Sequence, residues 1–236
     1  MTLLTSARNV CDVIGLSRPA AIITGTDQLS RQILGLAVET LDELSMMDWP
    51  ILSVPYSFNT VVGQSAYDLP ADFLRELGDT VYVASQYSSL RGSLTPGDWA
   101  RQRDSLEWQY GRYRFRIFGL PPKINLTPSP QVVEQITLEY QTTYKVKQSN
   151  GTYKDTFYDD ADTPIVPEDL FKKGLKWRLR RAKGLDYSEE FDDYEKDRFA
   201  QLAQTLQLGS MPVAYRQQSD MPEGLNVYIP QSGFGV

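Results

Sequence analysis

The sequence predicts an α+β fold with a four-helix bundle, formed by an N-terminal and a C-terminal helix pair, and an antiparallel β-rich domain inserted between the pairs. Apolar residues recur with helical spacing at both ends of the chain and alternate with polar residues in the middle. The last part of the chain is rich in proline and glycine and predicts an extended C-terminal arm. We therefore assign residues 1–50 and 164–209 to the two halves of the bundle, 51–163 to the β-rich domain and 210–236 to the arm.

Two helices are predicted at the N-terminus. The first follows Thr2, which can act as its N-cap, and ends at Gly15. The second is capped by Thr26 or Asp27 and extends to Pro50, which cannot continue a helix. The apolar face of this second helix is formed by Leu29, Ile33, Leu36, Ala37, Leu41, Leu44 and Met47.

The middle of the chain has the two-residue period of strands. Residues 62–65 predict a hairpin turn, residues 125–130 a loop, and a short helix capped by Thr95 is predicted over 95–107. The predicted strands cover residues 80–84, 113–117 and 136–142.

The C-terminal half begins with a polar stretch, residues 148–163, that predicts an exposed loop or hairpin. A third helix follows from the Pro164–Asp169 segment, with acidic residues in its first turn, and ends at Gly184. A fourth helix starts at Ser188 and ends at Gly209.

The third predicted helix is basic and the fourth is acidic. Two interpretations have equal weight: the charges pair within the chain, or each subunit presents one helix to the opposite charge of a neighbouring copy. Binding of the basic helix to DNA phosphates is less favoured, because no aromatic platform accompanies it. The residues predicted to lie at an interface with a neighbouring copy or another partner protein are Lys172, Lys173, Lys176, Arg180, Arg181, Glu189, Glu190 and Asp193.

The composition disfavours most enzyme classes. The 236 residues include no histidine and a single cysteine, Cys11, and the net charge is −6. This excludes His-based acid–base pairs and cysteine metal cages, so we predict no enzymatic activity, no cofactor and no metal. Cys11 is predicted to be a small core residue. No apolar run is long enough to cross a bilayer, so no membrane partner is expected.

The carboxylates Asp159, Asp160 and Asp162 form the one acidic cluster that suggests catalysis. A pair of carboxylates is sufficient for glycoside hydrolysis, so a polysaccharide hydrolase is an alternative function. The cluster lacks the glycine and the distal glutamate of a calcium loop. A solvated acidic turn is the favoured interpretation.

The C-terminal arm contains more apolar residues than a disordered tail normally does. We interpret it as a segment that binds a partner, the alternative being a segment folded back on its own domain. Its predicted anchors are Tyr215, Leu225, Tyr228 and Phe234.

One segment supports a family resemblance. Residues 67–75 read Tyr-Asp-Leu-Pro-Ala-Asp-Phe-Leu-Arg, after a strand and a turn, and the second predicted helix ends at Trp49 before the β-rich block. This pattern and the order of elements resemble the head-to-tail adaptors of short-tailed phages, the tail tubular protein A or portal-adaptor family. The resemblance covers the layout of residues 2–207.

The resemblance implies a structural virion protein, made in the bacterial cytoplasm and located in the neck or tail. It implies a homo-oligomeric ring, a dodecamer, whose bundle docks under the portal protein and whose β domain faces the tail nozzle protein. Double-stranded DNA would pass through the channel without sequence-specific binding. A stopper or completion protein of another tail is the alternative within the same class.

Overall fold

The computed structural model describes residues 1–85, 88–103 and 113–205. Within these ranges the chain is mixed α+β, as predicted, with helices near both ends and antiparallel sheets between them. A short 3-10 helix, Pro50–Leu52, follows the second helix. The α-helices are α1 Leu3–Ile14, α2 Gln28–Ser45, α3 Pro96–Arg103, α4 Glu168–Ala182 and α5 Ser188–Thr205.

Local capping explains where the first two helices begin. The Thr2 side chain accepts a hydrogen bond from the Thr5 N–H, and the Asp27 carboxylate accepts one from Ser30 at 2.9 Å, so each cap satisfies a free N–H of its helix. Gly15 ends α1 with φ +80, a backbone conformation that favours glycine. These caps confirm the predicted helix starts.

The strands form three sheets. In the first sheet, β8 pairs with β1 along one edge and with β3 and β4 along the other, and β5 pairs with β4. The second sheet has the order β2-β7-β6 and the third β10-β9-β11; all these pairs are antiparallel. The strands are β1 Ser53–Asn59, β2 Ala66–Asp68, β3 Phe73–Glu76, β4 Tyr82–Val83, β5 Ser88–Ser89, β6 Arg114–Phe118, β7 Lys123–Thr127, β8 Gln135–Thr142, β9 Val146–Lys147, β10 Tyr153–Lys154 and β11 Thr163–Pro164.

The hairpin predicted around residues 62–65 is wrong. The chain does turn there, but β1 pairs with β8 and β2 pairs with β7, so the two flanking strands belong to different sheets. The physical reason is the course of the chain after β1. Thr60 donates its N–H to Glu134 O at 2.8 Å, and Gly63 donates to Pro130 O at 2.8 Å. These bonds fix the turn to a distant segment.

The loop predicted over residues 125–130 is also partly wrong, because β7 extends to Thr127. Ile124 and Leu126 are fully buried on one side of this strand. The alternation spans too few residues before Pro128 to be recognised in the sequence. The predicted strand over 80–84 is longer than the strand in the structure, where β4 covers Tyr82–Val83.

Two clusters of buried side chains hold the described part of the chain together. One contains residues of α1, α2, α4 and α5, together with Val146 of the third sheet and Phe157. The other lies between the first and second sheets. In the helical cluster α4 is central, because it contacts α1, α2 and α5. Cys11 is fully buried there, which confirms its predicted core position.

Candidate assembly surface

The basic helix α4 and the acidic helix α5 lie side by side and antiparallel. Arg180 Nη1 is 2.6 Å from Glu190 Oε1, and Lys176 Nζ is 3.5 Å from the same atom. Further along the pair, Lys173 forms an ion pair with Asp197. Such partly exposed pairs contribute only about 0.2–1 kcal/mol each. These ion pairs mark the register of the two helices and add little to the stability of the fold.

The predicted interface residues therefore separate into two groups. Lys172 pairs with Glu168 of its own helix, and Lys173, Lys176, Arg180 and Glu190 pair across the two helices. The other three are exposed and form no ion pair with any residue in the described ranges. We call this second group the outward charges: Arg181, Glu189 and Asp193.

A buried charge network joins α2, α4 and α5, and sequence reasoning missed it. The Arg178 side chain is only 5% exposed and forms an ion pair with Glu43. Arg198 Nη1 donates to Glu43 Oε1 at 2.7 Å, and the Tyr194 hydroxyl donates to the same oxygen at 3.1 Å. Burial, followed by the Glu43 charge, raises the pKa of Tyr194 to about 12. Glu43 is thus the acceptor that connects three helices.

A glycine allows this network to form. A Cβ on Gly174 would lie 2.5 Å from Thr40 Cγ2 and 3.1 Å from Tyr194 Cε2, so α2 and α4 approach more closely than a larger residue would permit. Gly174 precedes Arg178 by one helical turn. A glycine in the middle of a predicted helix, one turn before an arginine, is the signal that the sequence offered.

The segment that carries the family resemblance connects the first sheet to α2. Arg75 Nε donates to Gln141 Oε1 at 2.7 Å, and Arg75 Nη2 donates to Met46 O at 2.7 Å. Gln141 Nε2 in turn donates to Ser45 O at 2.7 Å and to Met47 O at 2.6 Å. The carbonyl groups at the end of α2 thereby obtain donors. This clamp orients the β region on the helical region.

Asp72 of the same segment fixes β3 to β8. Its carboxylate accepts hydrogen bonds from the Tyr140 hydroxyl at 3.0 Å and from the Thr142 hydroxyl at 2.7 Å. Burial and the bond to Asp72 raise the pKa of Tyr140. The aromatic residue Phe73 packs on Tyr140 with 5.6 Å between ring centroids. The role of the segment is structural, within the sheet and at its junction.

The acidic cluster is only in part the solvated turn that the sequence predicted, because Asp159 is exposed but Asp160 and Asp162 bind backbone N–H groups. Asp160 accepts backbone N–H bonds from Ile22 at 3.0 Å and Ile23 at 2.8 Å, and Asp162, which is fully buried, accepts from Tyr158 and Asp159 at 2.7 and 2.9 Å. Acidic side chains are the strongest acceptors available for such crowded N–H groups. The cluster attaches the loop before α4 to the loop before α2, and its geometry does not favour a pair of catalytic carboxylates.

A groove of about 600 Å³ lies between the start of the first sheet and the third sheet. Most of its lining is apolar, contributed by Ile51, Val54, Tyr144, Tyr153, Pro164 and Ile165. Ile51 is 63% exposed and Tyr153 is 50% exposed. Apolar side chains gathered in one exposed concave surface indicate a contact surface.

The remaining predictions concern the C-terminal arm, metal binding and membrane-spanning helices. The predicted arm anchors Tyr215, Leu225, Tyr228 and Phe234 lie outside the described residues. Over residues 1–85, 88–103 and 113–205, no group of three or more Cys, Asp or Glu side chains is placed to hold a metal ion. In the same ranges no helix is both long and apolar enough to span a bilayer.

Comparison with known proteins gives one family. A family model described as SU10 adaptor protein matches residues 1–226. The match includes the helices, all three sheets and the clamp between them. No curated protein matches the chain.

Proposed function

The chain belongs to the SU10 adaptor protein family, and from this premise we propose that it forms a ring under the portal of a phage head and joins the portal to the tail nozzle. Membership makes the chain a phage adaptor, a structural virion component that associates with other head and tail proteins. The adaptor family implies a structural role and not a catalytic one. The match over residues 1–226 is the single observation that carries the proposal.

We assign the portal-facing part of the ring to a four-helix bundle of α1, α2, α4 and α5. The shared cluster of buried side chains supports this assignment. Residues 1–50 and 164–209 form the bundle in this proposal, and residues 51–163 form the domain that faces the nozzle. The Arg75–Gln141 clamp supports a fixed angle between the two, which a channel of constant width requires.

The subunit contacts of the ring are proposed to involve the outward charges. Arg181 of one subunit would face Glu189 and Asp193 of the next, because these side chains are exposed and have no ion pair in the described part of the chain. A head-to-tail contact between two different faces closes into a ring, and the proposed ring is a dodecamer. Residues 210–236 are the proposed arm, anchored on the portal by Tyr215, Leu225, Tyr228 and Phe234.

Double-stranded DNA would pass through this ring without sequence-specific binding. The net charge of −6 supports this role, because a wall with the same sign of charge as the phosphates does not retain DNA.

Deletion of the gene from the phage genome tests the proposed function. Without an adaptor, heads that have packaged DNA should lack tails and lose their DNA, and a plasmid copy of the gene should restore tailed particles. Tailed, infectious particles that form without the protein would contradict the proposal.

A further inference from the structure

The apolar groove between the first and third sheets is lined in part by residues just before the start of α4. Two ion pairs, Arg180–Glu190 and Lys173–Asp197, define the antiparallel register of α4 and α5. The paired residues are seven positions apart in each helix. The same register places Leu202 of α5 opposite Glu168, the first residue of α4, so α5 ends at the end of the helix pair from which α4 starts. Ile165, which lines the groove, precedes Glu168 by three residues.

The chain continues for 31 residues beyond Thr205, from 206 to 236. Its densest apolar stretch is Leu225–Ile229, in which Leu225, Val227 and Ile229 alternate and would share one side of an extended segment. Leu225 lies 20 positions after Thr205, and a chain of 20 residues can span up to about 66 Å. The stretch can therefore reach the groove of its own subunit.

Charge complementarity supports the same occupant. Two charged residues line the groove, Asp72 and Lys147. The Asp72 carboxylate already accepts hydrogen bonds from Tyr140 and Thr142, whereas Lys147 is exposed and has no ion pair in the described ranges. Asp220 and Glu223 precede the apolar stretch in the sequence, so either carboxylate can pair with Lys147 while the stretch lies on the apolar lining.

We propose that this groove binds the C-terminal segment of the same chain, residues 210–236, in the free subunit. A tethered segment is present at a local concentration in the millimolar range, so a weak apolar contact suffices for binding. The bound segment covers Ile51, Tyr144 and Tyr153, which otherwise expose apolar surface. The proposal does not depend on the adaptor role, because it concerns the subunit before it meets any partner.

Photo-cross-linking in the full chain tests the proposal. The photoreactive residue p-benzoylphenylalanine replaces Tyr153, an exposed aromatic position that tolerates it, and a control chain carries it at Phe118 of the second sheet. After irradiation, mass spectrometry of the monomer-sized band should find Tyr153-position links to residues 210–236 of the same chain and none from the Phe118 position. Equal links from both positions, no link to 210–236, or links only between two copies would overturn the proposal.

A second measurement uses a substitution in the lining of the groove. In the chain labelled at Tyr153, Ile51→Glu should lower the yield of the intrachain link at least about 3-fold, because burial of an isoleucine favours binding and burial of a charge opposes it. Val13→Glu, at a similarly exposed position on α1, should leave the yield unchanged. An unchanged yield in Ile51→Glu would show that the segment does not occupy this groove.

Discussion

At the scale of single residues, Glu43 is the side chain on which the helical region depends most. It accepts from Tyr194 and faces both Arg178 and Arg198, so two guanidinium groups share one carboxylate. Glu43→Gln should lower the free energy of unfolding by about 2–3 kcal/mol, because Arg178 would remain buried without its main counter-charge. This expected loss of stability is smaller than that for a fully buried ion pair, because Glu43 is partly exposed.

Urea denaturation at neutral pH measures this change. Glu39→Gln is the matched control, because Glu39 lies 3.7 Å from the same arginine but is mostly exposed. Its effect should stay within about 0.5 kcal/mol. Equal effects of the two substitutions would contradict the role assigned to Glu43.

The N-cap residue Asp27 predicts a pH dependence. Hydrogen bonds from the backbone N–H and the hydroxyl of Ser30 lower the pKa of Asp27. A carboxyl whose folded pKa is lowered contributes stability above its unfolded pKa of about 3.9, and this contribution is lost as the pH falls through the folded pKa. Asp27→Asn keeps a capping oxygen but does not titrate. The variant should therefore lose less stability than the wild type as the pH falls below about 4.

Thermal denaturation as a function of pH measures this difference. Near pH 7 the two proteins should unfold at similar temperatures, because Asn and Asp are comparable N-caps. Parallel curves throughout the acid range would show that Asp27 does not contribute to acid unfolding.

At the scale of the helices, a single substitution tests the close approach of α2 and α4. Gly174→Ala should destabilise the protein by about 1–3 kcal/mol, because the new methyl group meets Thr40 inside a packed interface. We expect this loss of stability although alanine favours a helix over glycine by about 1 kcal/mol.

Gly35→Ala is the control for that prediction. Gly35 is exposed within α2 and its Cβ would meet nothing within 4 Å. This substitution should stabilise the protein by up to about 1 kcal/mol, so chemical denaturation should give opposite signs for the two glycines. The same sign for both would refute the close approach.

The helices were predictable from the sequence because their signals are local. Thr2, Asp27 and Gly15 act within one turn of the residues they cap, and the apolar stripes have the period of the helix they form. The pairing of strands was not predictable in the same way. The separation of β1 from β2 depends on bonds from Thr60 and Gly63 to residues about 70 positions away, which no local pattern encodes.

At the scale of the whole molecule, the sequence indicated the adaptor family but only part of the candidate surface. The charges of α4 and α5 were recognised, and the structure pairs Lys173, Lys176 and Arg180 within the chain. Which charges pair depends on the register of two helices, and that register follows from the packing around Gly174 and Tyr194. The groove was missed because its lining comes from segments far apart in the sequence.

The central claim is that the chain assembles as a ring on the portal. The most direct test is the particle mass of the purified protein, measured alone and after mixing with the portal ring of the same phage, for the wild type and for Arg181→Glu. The account predicts a portal carrying about a dozen copies of the wild type, and fewer bound copies of the variant because its charge opposes Glu189 and Asp193 of the neighbour. A wild-type chain that keeps its own mass in the presence of the portal would contradict the account.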